Sequence, residues 1–147
     1  MENINAIRLE IFGTLGIAGS IIANLLGGWD TALRILILFM AVDYVTGLIV
    51  AGIFKKSGKT ESGALESGAG WKGLYRKGVT LLIVLVAVQL DLLTTGTEMI
   101  RNAVVIGYIA NEALSIVENA GLMGIPVPKI LRKSIDILQK KDIGSDS

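Results

Sequence analysis

Three carboxylates sit inside long apolar runs, where a chain of this kind has little use for charge. Asp43 divides Ala32–Phe54, Asp91 divides Gly78–Thr95, and Glu112 divides Ala103–Glu118. An acid at the centre of a bilayer costs about 2.5–3.5 kcal/mol or more unless protein or water satisfies it. Two chemistries are open to such groups. They can be neutral acids that hydrogen-bond one helix to another, or they can line a path for ions or water. Asn111 and Ser115 lie close enough in sequence to Glu112 to share its helix face, and with Tyr108 they offer hydrogen bonds. No cation lies within the runs to pair with the acids, since Arg34 and Arg101 fall near run ends. Catalysis is not expected. The 147 residues include neither cysteine nor histidine. That removes disulfides, thiol nucleophiles, imidazole bases and most zinc sites. The carboxylates lack a partner nucleophile or base. No enzyme, cofactor or metal site is predicted.

The elements that must position these acids are membrane helices. Hydrophobic residues make up 52% of the chain and are gathered into long runs. Ala32–Phe54 has 23 residues, about 34 Å as a helix, enough to cross a core of about 30 Å. The fold expected is an all-α integral membrane protein, one membrane domain over residues 1–147. Its four transmembrane helices cover about 7–27, 32–54, 78–95 and 102–118. A basic loop follows at 55–77 and a basic amphipathic helix at 128–141. Residues 143–147 read as a disordered end. The alternative has three spans, with the polar-striped fourth helix lying at the interface.

The first run carries a ladder of small residues: Gly16 and Ser20 on one row, Gly19, Ala23 and Gly27 on another. Spacing of four makes a groove in which helix backbones approach closely. The plain alternative is the general tolerance of membrane helices for glycine; cleavage as a signal peptide is disfavoured by a weakly basic start. In the second run Asp43, Gly47 and Ala51 share a face, which places the acid at a helix contact. Asp30 is expected to cap the second helix and to pair with Arg34.

The loop 55–77 carries three Ser-Gly pairs, Ser57-Gly58, Ser62-Gly63 and Ser67-Gly68, and reads as a flexible linker. It is no phosphate loop, for no strand precedes it and no Gly-Lys-Ser/Thr follows. Its cations are Lys55, Lys56, Lys59, Lys72, Arg76 and Lys77; the tail holds Lys129, Arg132, Lys133, Lys140 and Lys141. With four spans both rich segments fall on one side, so the positive-inside rule puts both termini on the cytoplasmic side. The tail cations suit anionic headgroups, although a frayed soluble tail is the plainer reading. A net charge of +1 gives no support for nucleic acid.

Four blocks resemble the toxin-secretion/phage-lysis holin family. They are Val42-Asp43-Tyr44-Val45-Thr46-Gly47, then Ser67-x-x-Gly70-Trp71-x-Gly73-x-x-Arg76-Lys77, then Tyr108-Ile109-x-Asn111-Glu112-x-Leu114-Ser115-Ile116-x-Glu118-Asn119, and Gly124-x-Pro126-x-Pro128 before the basic helix. The resemblance implies a small phage or prophage protein of the bacterial inner membrane that forms homo-oligomers in the lipid bilayer. It opens a lesion that releases an endolysin, or a toxin in some relatives. The residues alone also allow a small proton- or cation-coupled transporter, or a structural scaffold with buried neutral acids.

Overall fold

The computed structural model describes residues 2–94 and 96–143. All of the regular structure there is helical: α1 Glu2–Leu25, α2 Thr31–Ile49, α3 Ser67–Thr94, α4 Met99–Leu122 and α5 Lys129–Ile143. A single π-type turn, Val50–Phe54, prolongs α2. Four segments are long and apolar enough to cross a membrane: Asn3–Leu25, Thr31–Phe54, Ser67–Thr94 and Met99–Leu122. The expected disordered end begins inside α5, which includes Ile143; residues 144–147 lie outside the described residues.

Helices α2, α3 and α4 pack around Leu33, Leu36, Met40, Val84, Val105 and Ile109. These positions recur at three- and four-residue intervals, so each helix turns one apolar stripe inward. α4 is the central element, touching α2, α3 and α5. After α4 the chain stops at Gly124, whose φ of +76° allows Ile125 N–H to reach back to the Ala120 carbonyl at 2.9 Å. Pro126 and Pro128 prevent the helix from resuming at once. α5 then folds back, and Ile135 packs on Ala113 and Val117 of α4. The amphipathic tail is therefore engaged by protein through Ile135, while Ile130 and Leu131 stay exposed. Its five cations also remain exposed.

The glycine-rich stretch before residue 78 is not wholly a loop. α3 begins at Ser67, so Lys72, Arg76 and Lys77 are helical. Low helix propensity is overridden by packing: Gly70 and Gly73 face the Tyr44 ring of α2, and a Cβ on either would lie 3.6 or 3.8 Å from it. The remainder, 55–66, is folded rather than a free linker. Ser57 N–H donates to Gly63 O at 3.0 Å and Thr60 Oγ1 donates to Ala64 O at 2.9 Å. Gly63 has φ +70°, and a Cβ there would strike the Lys55 carbonyl at 2.3 Å.

The ladder of α1 finds no partner within one copy. A Cβ on Gly16 or Gly19 would meet nothing within 4 Å, and Ser20 is exposed and Ala23 only half-buried. Gly27 departs from the ladder altogether. It lies beyond α1 at φ +90°, in a turn where Gly28 N–H donates to Ala23 O at 2.8 Å. Such a turn ends a helix at a left-handed residue.

What crowds Gly27 is Arg101, whose Nε would lie 2.9 Å from a Cβ there. Arg101 is 1% exposed. Its Nε donates to Leu26 O at 2.9 Å, and Nη2 donates to Asp30 Oδ1 at 3.1 Å. Nη1 also bonds Asp30 Oδ2. Asp30 caps α2 as expected, accepting from Leu33 N–H at 2.8 Å, but its ion-pair partner is Arg101 rather than Arg34. The Arg101 hydrogen bond holds the Asp30 carboxyl below its ordinary value of 3.8. Because the folded value is the lower one, the stability from this pair is complete above 3.8 and is lost as pH falls through the folded value. Gly27→Ala is expected to cost about 1–3 kcal/mol in backbone strain plus the clash with Arg101. Gly28→Ala, with φ +97° and open space around it, meets only the strain. Thermal melting in detergent should rank Gly27→Ala below Gly28→Ala, and equal losses would exclude the contact with Arg101.

Candidate functional site

Asp43 sits near the middle of Thr31–Phe54 and is 6% exposed; Glu112 of α4 is 8% exposed. The structure brings both to one cation. Lys77 Nζ of α3 lies 2.8 Å from Asp43 Oδ2 and 2.5 Å from Glu112 Oε2. Each of three helices thus contributes one charge. This corrects the expectation that the acids have no cation to pair with. Lys77 reaches them because α3 is continuous through residues 67–77, which places it on a helix beside α2 and α4. Its long apolar stem lets the ammonium reach a polar partner from within a span.

Neutral groups complete the cluster. Asn119 Nδ2 donates to Asp43 Oδ1 at 3.2 Å and to Thr46 Oγ1 at 2.9 Å. The Thr46 hydroxyl donates to the Asp43 carbonyl at 3.0 Å. Ser115 lines the same cavity as Asp43 and Glu112. Gly47 lies beside Asn119, whose amide nitrogen would be 3.8 Å from a Cβ there; Ala51 is buried one turn further on. Among the described residues no buried side-chain nitrogen or oxygen lacks a partner.

The other expected members are placed differently. Asn111 is exposed and only borders the adjoining cavity. Asp91 is far from the cluster: fourteen residues separate it from Lys77 on one helix, about 21 Å by helical rise. It is buried near the end of α3, where Oδ1 accepts from Ile100 N–H at 2.9 Å and Oδ2 from Arg101 N–H at 2.7 Å. These are donors of the first turn of α4 that have no partner within the helix, and an acid there also opposes the helix dipole. Asp91 is a helix cap, not a member of a shared path with Asp43.

The cluster borders a half-open cavity of about 700 Å³, covered in part by the folded loop at Ser57–Thr60. Lys59, Lys72 and Arg76 also line it. The sequence reading places Lys72, Arg76 and Lys77 among the cations of a loop at one side of the membrane and does not single out Lys77 or Asn119 as site residues. The signal for Asn119 was present, since Glu112, Ser115 and Asn119 recur at helical spacing. Among the described residues no group of three or more His, Cys, Asp or Glu could hold a metal ion.

Four helices of membrane-spanning length and composition among the described residues, three of them joined by an internal ion cluster, define a multi-pass membrane protein. Residues 20–140 match the bacteriophage holin family, and the chain belongs to it. It is 31% identical over 107 residues to a protein of Bacillus phage phi105 named a probable holin, covering 73% of each chain. It is 37% identical over 143 residues to an uncharacterised 14.9 kDa protein in the nagH 3′ region of Clostridium perfringens, covering 96% of this chain and 99% of that one. An uncharacterised Listeria monocytogenes protein is 37% identical over 130 residues, 88% of this chain and 86% of its own. No solved structure matches the chain.

Removing the shared cation should hurt more than removing either acid. Lys77→Met leaves two carboxylates unpaired and is expected to cost about 3–5 kcal/mol, the usual loss on breaking a buried pair. Glu112→Gln keeps the Lys77–Asp43 pair and should cost clearly less. Denaturant unfolding in detergent, followed by circular dichroism, measures both; a Lys77→Met protein as stable as the parent would mean that the cluster does not form.

Proposed function

We propose that the chain acts as a holin: copies associate in the bacterial cytoplasmic membrane and permeabilise it, releasing an endolysin or another exported protein. Membership of the holin family over residues 20–140 carries this reading. The state of α1 supports the self-association. It is apolar, it has a face of small residues, and among the described residues nothing lies within 4 Å of a Cβ built on Gly16 or Gly19 of that face. A helix with an open small-residue face in lipid is suited to packing against another helix. Both termini lie on the cytoplasmic side in this reading. Lys55, Lys56, Lys59, Lys72 and Arg76 cluster at one end of the bundle, in keeping with positive charge retained inside. The proposed action is non-enzymatic and needs no cofactor.

The polar cavity favours a second reading, a small ion-coupled transporter that uses Asp43 and Glu112. It differs in outcome, because a transporter preserves the membrane barrier and shows saturable flux. Induction of the protein alone is expected to stop growth and collapse the membrane potential, with lysis only when an endolysin is also present. The chain lacks cysteine, so Gly16→Cys provides a single reporter, and oxidation in membranes should yield disulfide-linked dimers. An intact membrane during strong expression of inserted protein would rule out the holin. A scaffold role predicts that Asp43→Asn changes neither potential nor timing.

A further inference from the structure

The cavity beside the ion cluster continues into an apolar groove on α2 and α3. The two share Tyr44, Leu48, Leu65, Glu66 and Gly70. The groove holds about 600 Å³ and is completed by Trp71 and Leu74. Gly70, on the wall shared with the cavity, lies beside the Tyr44 hydroxyl, which would be 3.6 Å from a Cβ there.

Charge divides this cleft into two zones. The buried zone holds two carboxylates, Asp43 and Glu112, against one ammonium, Lys77, a surplus of one negative charge. The outer zone holds Lys59, Lys72 and Arg76, all exposed and, among the described residues, in no ion pair; Glu66 and Glu118 also line it. A ligand that satisfies the cleft needs a phosphate for the outer cations, an N–H-bearing cation for the carboxylates, and an alkyl chain for the groove. Charge-assisted hydrogen bonds of this kind are the stronger ones.

We propose that the cleft binds a phospholipid whose headgroup carries a primary amine. Its phosphate rests on Lys72 and Arg76, its ammonium turns toward the Asp43–Glu112 side, and one acyl chain follows Tyr44, Leu48, Trp71 and Leu74. An acidic lipid without an amine satisfies the outer zone alone. A choline headgroup brings a cation with no N–H to donate. The site is separate from the holin reading, since lipid retention does not depend on whether copies permeabilise a membrane.

The test uses the full chain in nanodiscs with equal amounts of phosphatidylethanolamine, phosphatidylglycerol and phosphatidylcholine. After transfer to detergent, native mass spectrometry counts the lipid retained. The parent protein is expected to keep phosphatidylethanolamine preferentially. Lys72→Gln with Arg76→Gln should lower retention about tenfold, as expected for the loss of a charged hydrogen bond. Both side chains are exposed, so this variant is expected to fold. Glu112→Gln should remove the preference over phosphatidylglycerol. Equal retention of the three lipids, a preference for phosphatidylglycerol, or undiminished retention in the Lys72/Arg76 variant would overturn the proposal.

Discussion

One ammonium between two carboxylates governs this structure. Lys77 meets Asp43 and Glu112 at 2.8 and 2.5 Å, and the three charges come from three helices. In lipid, apolar packing does not by itself favour one helix register over another, because the tails are as apolar as the side chains. An ion cluster does favour one. Sliding α3 by a turn would move the ammonium about 5.4 Å along the axis and strand two acids in a span. The penalty for that is large compared with the worth of a single packing contact. The cluster therefore fixes the relative heights of α2, α3 and α4.

A second knot holds the other end. Asp91 of α3 receives the first N–H groups of α4, and Arg101 of α4 reaches Asp30 and the Leu26 carbonyl in the α1–α2 link. Between the two knots lie Leu36, Val84 and Val105, all fully buried. The buried apolar layer thus lies between an ion cluster near mid-span and a charged knot at the α1–α2 link. Lys77 and Arg101 each draw partners from more than one element. Gly27 belongs to this end because the guanidinium needs the space where a Cβ would stand.

The sequence made the helices legible because apolar runs of membrane length have few other uses. It also made legible that Asp43 must face protein, since Gly47 and Ala51 share its side. It hid the partner. Glycine, serine and lysine over residues 67–77 resemble a linker, and propensity alone gives no reason to continue α3 through them. The reason is tertiary: Lys77 of α3 pairs with Asp43 and Glu112, and Tyr44 lies in van der Waals reach of Gly70 and Gly73. Asp91 misled for a related reason. Its place inside an apolar run grouped it with Asp43, but the acid serves the start of α4, a contact between elements that helical periodicity does not encode. Arg101 looked like one loop cation among others and is 1% exposed.

These features bear on how such a chain would permeabilise a membrane in its proposed role. One route parts α2, α3 and α4 and lets water in along Asp43. That route pulls Lys77 away from both carboxylates in every copy and needs water to replace two ion pairs that the closed core already holds. The other route leaves the three-helix core closed and brings copies together through α1. It breaks no ion pair, because the face of Gly16 and Gly19 meets nothing beforehand. Helix association through small residues then adds contacts without removing any. On this energetic comparison the charged core is the rigid body and α1 is the element that changes partners. Asp43 is then an acid that holds three helices in register, and the lining of a lesion would come from surfaces that assembly creates.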